Sequence, residues 1–377
     1  GVVNDPATGL MREQKLNDPE MAFLALCKAF REDPADAKVR ARLERSAEAS
    51  GHEEELCAIY QDEVDRLPPV DAAAVSLVIG RLLDERLSDP SGAAPYLRRA
   101  QALDPEAAQF ALPALERIYT KLESWPELAD VLSSRAAAAT APADKVAILF
   151  RLGQLCEEML EQKDRAAEAY EHALGADPRH LPSLRALEAL YEGAGRKEDL
   201  YRNLDAQRAA PGDAAAKERV IVKLAGLAAE LGRVDDAVAL WRELLTQKPR
   251  HDQALAALEE LFERGERWSD LAAHLRVRLS ATVDRREIAR LNDKLGLVLG
   301  TKLGDMGQAV ASYKAVLDSD PRNKRALESL RDIYAAQGEQ EALAGVYRRL
   351  VPLQEDAAGV KRVRLELAEV LLRAGNK

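Results

Sequence analysis

Five histidines and three cysteines are the residues of this chain best equipped for chemistry, with carboxylate clusters beside them. His52, His172, His180, His251 and His274 would serve as metal ligands or acid–base groups if the fold gathered them. His180 and His251 each stand two residues after a proline, at a helix start, and helix phase does not bring them together. No His-Glu-x-x-His pattern sets two imidazoles on one helical face. Surface or capping roles fit these histidines better. Cys27, Cys57 and Cys156 are far apart, odd in number and embedded in apolar helical runs. They make neither a disulfide framework nor a zinc pattern, and they read as buried free thiols suited to a reducing compartment.

Gly193-Ala194-Gly195-Arg196-Lys197 has the glycines and lysine of a phosphate loop. It lacks the Gly-x-x-x-x-Gly-Lys-Ser/Thr spacing and the preceding strand, so it reads as a link between two helices. A Gly-x-Ser-x-Gly elbow is absent. Glu53-Glu54-Glu55 fall near a helix N-terminus, where carboxylates complement the helix dipole. Trp125 and Trp268 occupy matching places at a helix–helix turn and read as packing residues, as does Trp241 at a core position. No catalytic residue, no metal site and no cofactor is expected; the chain reads as a non-enzyme.

The elements around these residues are helices. Of 377 residues, 47 % are hydrophobic, 31 % charged and only 5 % aromatic. Ala, Leu, Glu and Arg, all strong helix formers, dominate. A formal charge of −10 disfavours nucleic acid, which wants a basic face. The acidity is uneven: residues 1–72 carry 9 Lys+Arg against 16 Asp+Glu, whereas residues 305–377 carry 12 against 11. No stretch approaches the ~20 apolar residues of a membrane span, so no direct membrane insertion is expected. No basic-then-apolar leader opens the sequence. A cytoplasmic setting is expected, with export left open because the natural start can lie upstream.

The punctuation repeats. Asp33-Pro34, Asp104-Pro105, Asp177-Pro178, Lys248-Pro249 and Asp320-Pro321 recur at a nearly constant interval of about 72 residues. Twelve residues before each proline is a small residue: Ala22, Ala93, Ala166, Ala237, Ala309. Eight before is a larger one: Leu26, Leu97, Tyr170, Trp241, Tyr313. Five before come Ala29, Ala100, Ala173, Leu244 and Val316. Offsets of four and three place each set on one helical face. Upstream of the small alanines stand Leu224-Ala225, Ile79-Gly80, Leu152-Gly153 and Leu295-Gly296. The step from Leu224 to Ala237 is the shorter one. The steps from Ile79, Leu152 and Leu295 to their alanines each hold one extra residue.

Between these lies a second pattern. Leu43, Leu115, Leu187, Leu258 and Leu330 are followed, always at the same interval as Leu224 and Ala237, by Leu56, Leu128, Leu200, Leu271 and Leu343. Gly195, Gly232, Gly265, Gly304 and Gly338 sit at the reversals, where a left-handed residue commonly ends a helix.

This spacing resembles the tetratricopeptide repeat family over nearly the whole chain, with a double unit of about 72 residues. The resemblance implies an all-α fold, a right-handed α-solenoid of antiparallel helix hairpins, continuous over 1–377. Its units fall at 1–71, 72–143, 144–213, 214–284 and 285–355, and 356–377 starts a further repeat. Leucine in place of the family's small alanine predicts that every second hairpin packs more openly or at another angle. The last helix is expected at Lys361 to Ala374, and Gly1 to Lys15 as too short for a full first helix. Neither end has a polar cap, so the chain is expected to be a piece of a longer array or to dock on something through its ends, a homo-oligomer being one such outcome.

In this family the concave surface is lined mainly by the first helix of each hairpin. Counting two before, one before, two after and five after the repeat leucine projects a partner-binding groove. Its residues are Arg151, Gln154, Glu157, Arg185, Glu192, Lys223, Glu260, Glu263, Asp293, Lys294, Glu328 and Asp332. Their mixed signs suit a protein or peptide. The family's carboxylate clamp needs Asn two residues after the leucine. Arg81, Arg117, Gln154, Ala189, Gly226, Glu260, Leu297 and Asp332 stand there instead, so that mode is excluded. The expected role is a protein-interaction scaffold, in a bacterium to judge by the Ala/Arg/Asp bias. The alternatives are a regulatory or targeting segment of a larger enzyme and a self-assembling array.

Overall fold

A computed structural model describes residues 19–375; the segment Gly1 to Lys15 lies outside them. Among the described residues are twenty α-helices and no strand, in two compact units that meet at Pro211 and Gly212.

In the first unit, α1 (Pro19–Glu32) packs on the first of five hairpins. These pair α2 (Ala37–Ser50) with α3 (Glu53–Glu63), α4 (Pro69–Arg81) with α5 (Pro90–Leu103), α6 (Pro105–Lys121) with α7 (Trp125–Ala138), α8 (Pro142–Glu158) with α9 (Lys163–Ala176), and α10 (Leu181–Ala194) with α11 (Lys197–Ala209). The second unit pairs α12 (Ala214–Glu230) with α13 (Val234–Gln247), α14 (Asp252–Arg264) with α15 (Trp268–Ala281), α16 (Arg285–Leu297) with α17 (Met306–Ser319), and α18 (Lys324–Gln337) with α19 (Gln340–Leu350). The helix α20 (Ala357–Arg373) follows, beginning one turn before the expected Lys361. Within each unit a helix packs on its sequence neighbours, which is the solenoid arrangement.

The spaced residues form the core. Ala22, Ala93, Ala166, Ala237 and Ala309 are completely buried, and the larger residues four positions on are buried with them. Three glycines of the first helices, Gly80, Gly153 and Gly296, let backbone meet side chain directly. A β-carbon on Gly80 would fall 2.5 Å from Leu97, on Gly153 2.3 Å from Tyr170, and on Gly296 2.9 Å from Tyr313. At the equivalent positions of the α12–α13 hairpin, Ala225 and Trp241 are both buried. The hairpins in which leucine opposes leucine bring their backbones less close.

The reversals obey one hydrogen-bond rule. In all five leucine–leucine hairpins the carbonyl four residues after the first leucine accepts from the amide five residues further on. His52 N–H donates to Ala47, Ser124 to Tyr119, Arg196 to Tyr191, Arg267 to Phe262 and Glu339 to Tyr334. The residue just before each donor is left-handed: Gly51, Glu123, Gly195, Glu266 and Gly338. Gly265 therefore does not supply the turn. Its φ is −84°, and the left-handed position falls one residue later, on Glu266.

The extra residue of the other hairpins is absorbed at the same place. Where the step is short, Arg233 N–H donates to Ala228, five residues back. Where it is one residue longer, the equivalent carbonyls of Leu83, Cys156 and Leu299 accept from Asp89, Gln162 and Asp305, six residues on. Two of these first helices widen into π-turns, at Leu82–Arg86 and Val298–Leu303.

Candidate partner-binding groove

All twelve projected residues lie on first helices: α8, α10, α12, α14, α16 and α18. Several are engaged within the fold. Arg151 reaches from α8 to Glu116 on α6, which Arg135 of α7 also holds. Lys294 reaches from α16 to Glu259 and Glu263 on α14. Glu259 additionally binds Arg278 of α15 and lies 3.7 Å from Arg290. Burial pushes the Glu259 carboxyl upward, but Lys294, Arg278 and Arg290 outweigh it and hold the group below the usual carboxylate range.

Glu116, Glu188 and Glu259 share one repeat position, directly after the repeat leucine, and all three are buried. The residue seven after the leucine of the second helix meets each: Arg135, Gln207 (2.7 Å from Glu188) and Arg278. Arg151 and Lys294 are therefore cross-braces between successive hairpins. Each adds a second cation, from the next hairpin, to a buried carboxylate that Arg135 or Arg278 already pairs.

The remaining projected residues divide. Glu157 accepts the Tyr170 hydroxyl at 3.1 Å, steadying the ring that covers Gly153. Asp293 pairs with Arg325 at 3.4 Å, Asp332 with Arg331 at 2.7 Å and Glu260 with Arg264 at 3.5 Å. Gln154, Arg185, Glu192 and Lys223 are exposed, and Glu328 is half-buried. Glu263 and Lys294 are a projected pair brought together across two first helices.

Four of the five histidines make contacts within the fold, and exposed His172 lines the cavity between α7 and α9. His251 Nδ1 accepts from Ala254 N–H and caps α14. His52 stacks on Phe23, with centroids 4.9 Å apart. His180 meets the Ser183 hydroxyl at 2.8 Å. Buried His274 donates Nε2–H to the Leu255 carbonyl at 3.1 Å, and burial pulls its pKa below the ordinary imidazole value. The three thiols are buried and free, each with its pKa raised by desolvation. Among the described residues no three His, Cys, Asp or Glu side chains converge as a metal site, and no helix is long and apolar enough to cross a membrane.

Cavities open on the first-helix face of the first unit. One of about 420 Å³ lies between α2 and α4, with Glu44, Arg45, Glu48, Arg81 and Arg86 around it. One of about 290 Å³ lies between α4 and α6, floored by Leu77, Val78 and Leu97 and walled by Phe110. Val78, Arg81 and Glu85 line both, so the two adjoin across α4. Another, of about 450 Å³, follows between α6 and α8. A cavity of about 660 Å³ lies on the other side, between the second helices α7 and α9 over Leu149 and Leu152.

These residues are not among those projected, although the offsets that project the others point to them. Counted from Ile79, they give Leu77, Val78, Arg81 and Asp84, and all four line the α4–α6 cavity. Counted from Leu43, they give Ala41, Arg45 and Glu48 in the α2–α4 cavity. Phe110, 65 % exposed, signals itself differently: it falls off the spacing of the buried Ala107, Ala111 and Leu115 in its own helix.

The tetratricopeptide repeat family model matches residues 146–180 and 289–323, the α8–α9 and α16–α17 hairpins in which a tyrosine covers a glycine. No curated protein matches the sequence. Among solved structures, the Naa15/Naa10 complex bound to HypK-THB aligns at 14 % identity and TM-score 0.36 over 98 % of this chain, which spans 65 % of that one. A tetratricopeptide repeat protein from Parabacteroides merdae aligns at 14 % identity and TM-score 0.29, covering 68 % of this chain and 96 % of that one. MamA aligns at 16 % and 0.21, covering 53 % and 92 %. With its hairpins, their spaced cores and the two matched segments, this chain is a tetratricopeptide-type repeat protein.

Proposed function

We propose that the chain is a non-catalytic scaffold that binds a partner protein or peptide along the first-helix face of its first unit. Repeats of this type are generally protein–protein interaction modules. The observation that carries the assignment is the pair of cavities sharing Val78, Arg81 and Glu85, which makes a groove running across α4. Its apolar floor and charged rim are the composition of a binding cleft, and rigid helices hold both. Exposed Gln154 and Arg185 extend the same face along α8 and α10. Arg151 and Lys294 already pair with Glu116, Glu259 and Glu263, so we assign the binding surface to other residues.

A photo-crosslinking amino acid placed at Phe110, and separately at Glu168 on the second helix α9, tests this in a lysate of the native host. A partner captured from position 110 and not from 168 supports groove binding. Capture of the chain itself from either position would favour self-assembly instead. Capture only from 168 would move the site to the second-helix face.

A further inference from the structure

We draw no further inference here: the strongest candidate, the cavity of about 660 Å³ between the second helices α7 and α9, is an apolar groove walled by small residues such as Ala136, Ala137 and Ala169, and nothing in the structure shows what covers it.

Discussion

Gly153 and Tyr170 touch where a side chain would ordinarily stand: a β-carbon on the glycine would lie 2.3 Å from Cε1 of the tyrosine ring. The ring cannot simply swing away, because it is buried and its hydroxyl is tied to Glu157 on the facing helix. The glycine is therefore a packing residue, kept in a helix interior despite its poor helix propensity.

Gly153→Ala gains up to about 1 kcal/mol of helix propensity but must displace a buried ring, which typically costs about 1–3 kcal/mol. The net expectation is destabilisation. Gly226→Ala in α12 is the counterpart, since nothing lies within 4 Å of its β-position. It should stabilise by up to about 1 kcal/mol. Chemical denaturation of the two variants beside wild type checks both signs.

Glu123 and Glu266 hold φ of 53° and 51° at positions that glycine fills in the sister hairpins. A left-handed backbone penalises any residue with a β-carbon by about 1–2 kcal/mol, partly offset by glycine's greater freedom when unfolded. Glu123→Gly and Glu266→Gly should each raise stability by about 0.5–1 kcal/mol. Gly195→Ala should lower it by a similar amount. The midpoint of thermal unfolding reads all three.

Glu259 is the hub of a buried ionic cluster in the second unit. Glu259→Ala removes the acid that Arg278 and Lys294 share, leaving them Glu287 and Glu263 respectively, a loss of about 1–3 kcal/mol for a buried charged partner. Lys294→Met removes one of several cations and keeps much of the packing, so it should cost about 1 kcal/mol or less. Urea titrations of the two variants should show this asymmetry. Equal losses would mean that the cluster contributes only through packing.

Acidification should act on the same hairpin through His274. Its folded pKa is depressed by burial, so the native state stays neutral while the unfolded chain takes up a proton as pH falls below about 6.5. Proton uptake by the unfolded state alone lowers stability, from that pH down to the folded pKa. The stability advantage of wild type over His274→Gln should therefore be larger at pH 7.5 than at pH 5.5. An advantage independent of pH would show that burial leaves the His274 pKa unshifted between the folded and unfolded chain.

The core is legible in the sequence because two periodicities agree. Helical offsets of three and four select the buried face, and the recurring proline interval repeats it, so Ala22, Leu26 and Ala29 stand out together with every copy. Gly265 misleads, because residue type is not backbone geometry. The hydrogen bond from Arg267 to Phe262 fixes the left-handed position, and it falls on Glu266. Arg151 and Lys294 lie on first helices as projected, yet their pairing is not visible within one hairpin. Glu116 and Glu259 lie 35 residues upstream, on the preceding first helix. The α2–α4–α6 groove is within reach of the offset rule once that rule is carried back to Ile79 and Leu43.

The shorter and longer reversals differ by a single residue, and the whole difference is taken up between one carbonyl and the next helix. A length change in one hairpin therefore stays local, since the following helix still presents its alanine to the same partner. Arrays with this property can gain or lose a residue, or exchange whole units of slightly unequal length, without rotating everything downstream. Drift in repeat length is then close to neutral for the fold, leaving the exposed face of each unit free to diverge toward its own partner.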